Sequence, residues 1–461
     1  MTEEAAVEFE ENRAKTKKAL PALLVVFMLG ALMIQAFNLV FQNIGDALGM
    51  SSSASLISTL PGIVLGVVCM LYGTLCDFIS PKRMTIFGMA ALLAGSLVGF
   101  LGSFNFWIVL VSRMVQVAGA QVAGSVFLVM AVKYLNDKEK AFYLGLYNAV
   151  YCVAAAIGVL AGGIISSFDW KYLFLVPALS VVFVPLLIRN TPDVGERGER
   201  IDGIGIALFA VFAGLIAVYF SFPGFGLIVA AVLFAILFVL WIWKSKNPFL
   251  GRSFVTNGAF MSILLVQFLF VFFNYACVPI YNVIGTQIYR MPLTVISMCL
   301  ALVYAISAVL GSLSGPLINR MGRMRTIIVS ALMMIVGFAG SALLIGKGFA
   351  VLTVLACVFV GGTTLIYAPI YDAASDALPV EENGRGIGIL DLMLNTSASI
   401  GIAVYSSLMA SASTARGSLF GVGSGVSAQA ANMFWIMCGI AIVALILLLV
   451  FRRNFTITRE R

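Results

Sequence analysis

Histidine is absent from this 461-residue chain, and charge is scarce: 10% of the residues are Asp, Glu, Lys or Arg, against 61% hydrophobic. The missing histidine removes the side chain that most readily carries a proton near neutral pH, and with it the commonest metal ligand. Soluble chains are nearer one quarter charged, so a soluble enzyme, a nucleic-acid-binding domain and a disordered scaffold are all excluded. No phosphate-cradling P-loop occurs, which leaves ATP-driven transport without support. The seven cysteines (Cys69, Cys76, Cys152, Cys277, Cys299, Cys357 and Cys438) lie in or beside apolar runs without paired spacing. They read as small buried hydrophobes rather than disulfides or a metal site. No nucleophile–base constellation is visible. An enzyme, a metal and a cofactor are therefore not expected.

What the chain has instead is apolar length, with a mean hydropathy of +1.07. A membrane-spanning helix needs about 20 apolar residues, and such stretches follow one another almost from end to end. The expected fold class is an all-α polytopic membrane protein. Fourteen helices are predicted at 19–41, 56–75, 84–103, 107–132, 141–167, 172–189, 202–220, 224–243, 254–281, 294–318, 326–346, 349–372, 386–410 and 433–451. An even number places both termini on one side. Of the 28 Lys and Arg, 23 fall on that side, Lys171, Arg290, Lys347 and Arg416 fall on the other, and Arg113 lies within a helix. Basic residues favour the cytoplasmic face, so both termini are expected to be cytoplasmic, with the acidic N-terminus a tail rather than a signal peptide. The polar stretches Asn190 to Asp202 and Lys244 to Ser253 bracket helices 7 and 8. The expected organisation is a tail at 1–18, six helices over 19–189, a linker with two extra helices over 190–253, six helices over 254–451, and a tail at 452–461. The segment Ser411 to Asn432, rich in Ser, Ala and Gly, reads as a flexible external loop.

Six helices on each side of an insert invite a search for duplication. Gly73-x-Leu75-x-Asp77 with Arg83 matches Gly315-x-Leu317-x-Asn319 with Arg325, and both pairs are 242 positions apart. Gly145-x-x-Asn148 with Gly158 on helix 5 matches Gly388-x-x-Asp391 with Gly401 on helix 13, at an offset of 243. Two motifs at nearly one offset, on equivalent helices, indicate parallel repeats of the kind that transporters use.

The motif Gly73-x-Leu75-x-Asp77…Lys82-Arg83 resembles the loop 2–3 signature of the major facilitator superfamily. Arg113-Met-Val-Gln116-Val-Ala-Gly119 resembles the helix-4 signature of its drug/proton antiporters, with Val117 where a glycine is usual. Gly158-Val159-Leu-Ala-Gly162-Gly163 is similar to the helix-5 antiporter signature, with Val159 in place of its proline. Asp169-Trp170-Lys171-Tyr172-Leu-Phe174 resembles the aromatic start of helix 6. Ile201-Asp202-x-x-Gly205 and Asn247-Pro248-Phe249 look like the flanks of the two extra helices in the fourteen-helix branch, which includes tetracycline and multidrug exporters of bacteria. The resemblance covers the whole chain. It implies two six-helix bundles plus two central helices in a bacterial plasma membrane, a monomeric transporter, a small-molecule substrate and H⁺ as coupling ion. One departure stands out: helix 1 of that branch often carries an acid, whereas here it reads Met33-Ile-Gln35-Ala-Phe-Asn38, with none.

The residues have competing uses. Gly73 and Gly315 suit either close helix packing or a cytoplasmic gate, with Asp77, Arg83, Asn319 and Arg325 as its polar parts. The resemblance places Asp77 opposite the start of helix 13, and a solvated loop carboxylate is the plainer reading. Gly119, Gly158, Gly162, Gly163 and Gly401 read as packing. Arg113, roughly 9 Å into helix 4, either snorkels outward or faces a central cavity with Gln116, to hold a substrate carboxylate or modulate a proton site. Asp391 is the only acid well inside an apolar helix. It is either a first-turn acid favoured by the helix dipole or a carboxylate able to load and release a proton. Asp372 and Asp376, spaced i, i+4, read as solvated. Gln35, Asn38, Asn148, Gln267, Asn274 and Asn395 suit either a substrate pathway or interhelical hydrogen bonds.

The leading functional reading is proton-coupled efflux of amphipathic organic compounds or drugs by alternating access. A uniporter or uptake carrier for a neutral or anionic metabolite is the second. A non-transporting membrane sensor is the third, disfavoured because the expected tails are too short for a sensory domain.

Overall fold

In a lipid interior every backbone N–H and C=O has to be paired within the protein, and a helix does this with its own residues. The computed structural model describes residues 3–75, 79–193, 202–246, 248–379, 382–420 and 424–456, and all regular structure among them is helical. The first group of long helices is α1 (Glu3–Ala47), α2 (Leu56–Leu75), α3 (Pro81–Leu101), α4 (Phe106–Tyr134), α5 (Asp137–Ser166) and α6 (Trp170–Asn190). Next come α7 (Gly203–Ser221) and α8 (Phe225–Lys244), and then α9, which opens with Gly258–Val271. The last five are α10 (Leu293–Ser312), α11 (Arg323–Leu343), α12 (Phe349–Asp376), α13 (Asn383–Ala410) and α14 (Val426–Val450). Their starts carry the expected caps: Asn105 accepts from Trp107 and Ile108, Asn136 forms a capping box with Glu139, and Asn257 accepts from Ala259 and Phe260.

Thirteen helices among the described residues are long and apolar enough to cross a membrane. The exception is α9. The continuous helix expected over 254–281 is broken at 272–276, and a second segment, Cys277–Val283, continues α9. Pro279 accounts for the break. It has no N–H for the carbonyl four residues back, that of Tyr275, and its ring crowds that carbonyl. The chain passes the gap in tight turns, with Asn274 N–H on the Val271 carbonyl at 2.9 Å and Ala276 N–H on the Phe273 carbonyl at 2.9 Å.

Two helices begin earlier than expected. The stretch expected as a tail before residue 19 is helical from Glu3 and continuous with α1. It is supported by Lys15–Glu11 at 2.6 Å and by Arg13 and Lys17, which reach Glu139 of α5 at 3.1 and 2.5 Å. Lys17, and then Arg13, hold the Glu139 carboxyl below the usual carboxylate range. At the other end, α14 begins at Val426 rather than 433, because good helix formers surround Gln429. Asn432 then ties the preceding segment down, donating to the carbonyls of Thr414 and Gly417 at 3.0 Å each.

α3 packs on α4, and α1 on α4 and α5; in the later half α11 packs on α12 and α14, and α10 on α12. Three pairings cross between the two groups: α2 with α13, α5 with α10, and α1 with the second segment of α9. The repeated motifs lie at or near the ends of α2 and α10 and on α5 and α13, the four helices of the first two pairings. α7 wedges in beside one of them, with Phe209, Ala213 and Ala217 against Ile63 of α2 and Leu392 of α13. α8 lies outside α7 and leaves Val229, Leu233, Ile236 and Leu240 exposed. One carboxylate closes this hairpin: Asp202 accepts from Gly205 N–H at 3.0 Å, Trp241 Nε1 at 2.8 Å and Phe249 N–H at 3.0 Å.

Candidate functional site

The break in α9 turns polar groups toward α12 and α13. Asn274 donates to the Tyr367 hydroxyl at 3.3 Å, and the Tyr275 hydroxyl donates to Asn395 Oδ1 at 2.7 Å. Asn395 in turn donates to the Asp391 carbonyl at 2.9 Å, and the Tyr371 hydroxyl donates to Asp391 Oδ1. Asp391 is half-buried and more than two turns into α13, too deep for a helix-dipole effect confined to the first turn. Gly401 lets the chain approach this closely: a Cβ there would sit 1.6 Å from the Phe272 carbonyl oxygen at the break.

On the other side of Tyr275 is a small gap of about 10 Å³, lined by Asn38, Ser58, Leu65, Arg113 and Val117. Arg113 is 2% exposed, so it does not snorkel. Its guanidinium lies over the Phe37 ring, 3.8 Å from the centroid, and Nη1 donates to Gln116 Oε1. Gln116 is held by Ser96 Oγ at 2.9 Å and the Phe174 carbonyl at 3.4 Å. Arg113 Nε and Ser58 Oγ are buried without partners. No ion pair joins Arg113 to any described residue. Gln35 accepts from Asn38 at 3.5 Å, and Gln267 donates to the Leu390 carbonyl at 3.3 Å.

The packing candidates sit at close helix crossings. A Cβ at Gly119 would meet Leu92 N at 2.3 Å, at Gly158 the Leu32 carbonyl at 2.1 Å, and at Gly162 the Ala36 Cα at 2.9 Å. Gly163 faces Ser297 of α10 across the two groups. Gly315 differs, with open space around it, and Asn319, Arg325 and Arg83 are exposed. Asp77 and the side chain of Asn148 lie outside the described residues, as does the surrounding of Gly73.

Sequence reasoning missed three features. Asp372 and Asp376 are paired rather than simply solvated: Arg323 Nε donates to Asp372 Oδ2 at 2.8 Å and Nη2 to Asp376 Oδ2, with the Arg323, Asp376 and Asp372 side chains 11%, 12% and 31% exposed. Asn282 of α9 bonds across to α1, and three tyrosines supply polar contacts nearby: Tyr371 to Asp391, Tyr275 to Asn395, and Tyr367 with Asn274. The tyrosine spacing i, i+4 on α12 was the available signal, since two phenol groups on one apolar face need polar partners.

The sequence model described as Major Facilitator Superfamily matches residues 23–203, 200–402 and 263–461. The methylenomycin A resistance protein of Bacillus subtilis (strain 168) is 26% identical over 269 residues, 54% of this chain and 57% of that protein. The multidrug transporter protein MdtP of the same organism is 22% identical over 347 residues, 71% and 63% of the two chains. The chain thus spans less than two thirds of the length of these two relatives. Among solved structures, a POT family transporter in complex with a thioalcohol conjugated peptide matches with TM-score 0.67 at 15% identity, covering 95% of this chain and 96% of that one. A D-xylose-proton symporter matches with TM-score 0.64 at 11% identity, covering 96% and 98%. At such identities the likeness speaks to the fold alone. With family matches that together run nearly end to end, and a fold that is all helical among the described residues, the chain belongs to the major facilitator superfamily.

Proposed function

We propose that the chain is an antiporter that exports amphipathic organic compounds from the cytoplasm in exchange for protons, with Asp391 as the proton carrier. The observation that carries this reading is Asp391 itself: a half-buried carboxylate inside α13, held by Tyr371, one turn from the Asn395 that accepts from Tyr275 at the break in α9. A carboxylate in an apolar interior is costly while charged, so loading and releasing a proton changes the balance between the two arrangements of the helix groups. Asn395, one turn further along α13, bonds the Asp391 backbone carbonyl and accepts from Tyr275, so α9 is tied to the stretch of α13 that carries Asp391. The break leaves irregular backbone where it lines a cavity, the setting in which transporters hold substrates and ions.

In this reading the chain crosses the plasma membrane fourteen times, with α9 as a broken span and both termini cytoplasmic. Residues 19–189 and 254–451 form the two moving bundles, and α7 and α8 within 190–253 form a peripheral hairpin. The unit is a monomer. The test is efflux of a panel of fluorescent dyes from cells, with and without a proton uncoupler. Efflux that the uncoupler abolishes supports the reading, and unchanged efflux in its presence overturns the coupling.

A second reading, uptake or uniport of an anionic metabolite, is favoured by Arg113, a buried cation without a carboxylate partner among the described residues. Dye efflux would then be absent altogether.

A further inference from the structure

We infer that Arg113 and Ser58 form a binding site for one small monovalent anionic group, at the gap between α2, α4 and the broken part of α9. Burying a guanidinium within the membrane is costly unless its charge is compensated. The compensation visible around Arg113 is one Phe37 ring face and one neutral amide, Gln116. Each attracts a cation, and together they fall short of a counter-charge. Helix α1 carries no acid over residues 19–41, and Asp391 is engaged by Tyr371. One positive charge is therefore left over.

Two unused donors belong to residues that line this gap. Arg113 Nε is buried without a partner, and Ser58, 6% exposed, leaves its Oγ without one as well. Both residues line the same gap, and its volume of about 10 Å³ matches one oxygen-sized atom. The Tyr275 hydroxyl, which also borders it, is already donated to Asn395. A water there would satisfy the hydrogen bonds and leave the charge. A cation would be repelled. A monovalent anionic group satisfies both, because charge-assisted bonds to a guanidinium are among the stronger ones available.

Apart from Asn38, which donates to Gln35, the rest of the lining is apolar, with Ile34, Leu65 and Val117 suiting an apolar body behind a carboxylate. Tyr275 is the one wall contributed by the later helices, so anything larger than a single atom enters when α9 moves. Two sources share this chemistry: a free halide, and the carboxylate of the transported compound.

The test uses the full-length protein purified in detergent, in chloride-free buffer with sodium sulfate balancing ionic strength, and reads the unfolding midpoint. Sodium chloride, sodium benzoate and benzamide are titrated separately, since a ligand that binds only the folded state stabilises it by RT ln(1 + [L]/Kd). A rise that follows this logarithm with chloride alone assigns the inorganic ion. Such a rise with benzoate, less than additive with that of chloride, assigns the carboxylate head. Arg113→Gln abolishes either rise, and Ser58→Ala weakens the apparent affinity about tenfold. The inference is overturned if neither anion raises the midpoint, if benzamide matches benzoate, or if the rise survives in Arg113→Gln. Should Arg113→Gln not yield monodisperse protein, unchanged affinity in Ser58→Ala overturns it. Binding at equilibrium in detergent is independent of proton coupling, so this result and the efflux result fail separately.

Discussion

Asn282 donates from Nδ2 to the backbone carbonyl of Leu39 at 2.6 Å, and to Asn43 Oδ1 at 3.2 Å. The bond joins α9 to α1, across the two helix groups, at the end of the bundle away from the termini. Gly163 of α5 meets Ser297 of α10 at the same end. Together these contacts hold that face shut, while α2 and α13 stay in touch further along at Met70 and Gly388.

Removing the Asn282 amide should loosen the closed face. A single buried hydrogen bond contributes about 1 kcal/mol, equivalent to roughly a fivefold change in a two-state population. Asn282→Ala is expected to increase labelling of a cysteine placed at Asn38 by an impermeant maleimide added from outside. Unchanged labelling would mean that the contact does not gate access.

Asp391→Asn is expected to abolish uphill transport while leaving downhill exchange measurable, because the amide cannot exchange a proton. Tyr371→Phe keeps the carboxylate and removes one donor, so uphill transport should persist at a rate about three- to tenfold lower. Transport assays in vesicles with an imposed proton gradient check both. Uphill transport by Asp391→Asn would make Asp391 a structural residue.

The Arg323 cluster predicts a stability effect rather than a transport effect. Arg323→Ala leaves Asp372 and Asp376, one turn apart, without the cation between them, a loss on the order of 3 kcal/mol for a largely buried pair. The unfolding midpoint in detergent should drop clearly. A triple variant neutralising all three residues should recover much of the loss.

Acid should release the N-terminal extension of α1. Lys17 and Arg13 keep the Glu139 carboxyl below its ordinary value of 4.5. The stabilisation is therefore present above that value and is lost as pH falls through the lowered one. Spin labels at residues 9 and 143 should move apart only in that acidic range, whereas Glu139→Gln should separate them at neutral pH. Separation of the wild type at pH 6 would contradict the assignment.

Topology can be checked directly. Tags at both termini and within 191–199 should be cytoplasmic, and one within 418–424 external, as the distribution of Lys and Arg requires. Termini found on opposite faces would remove the fourteen-crossing reading.

Much of the helical order was legible because span length and apolar content are local properties of the chain. The duplicated glycine motifs also pointed to α2, α5, α10 and α13, which turn out to pack across the two groups. The break in α9 was harder to see, although Pro279 is in plain view. Its effect falls on residues 272–276, and the gap is tolerable only because Gly401, more than a hundred positions later, leaves room for the Phe272 carbonyl. The pairing of Asp372 and Asp376 with Arg323 was hidden for a similar reason. Their i, i+4 spacing is local, but the cation comes from the start of another helix. Ser58 gave no signal at all, since a serine in an apolar helix usually bonds its own backbone.

The clasp made by Asp202 bears on how such a chain is made and how it diversifies. Because one side chain holds both ends of the α7–α8 hairpin, the hairpin starts and finishes at nearly one place in space. A segment of that shape behaves as a cassette. Synthesis can complete it before the second bundle emerges, and a lineage can gain or shed it without dragging the flanking helices out of position. Excising residues 203–248 and rejoining the chain by a short polar bridge should then leave the flanking helices packed as they are.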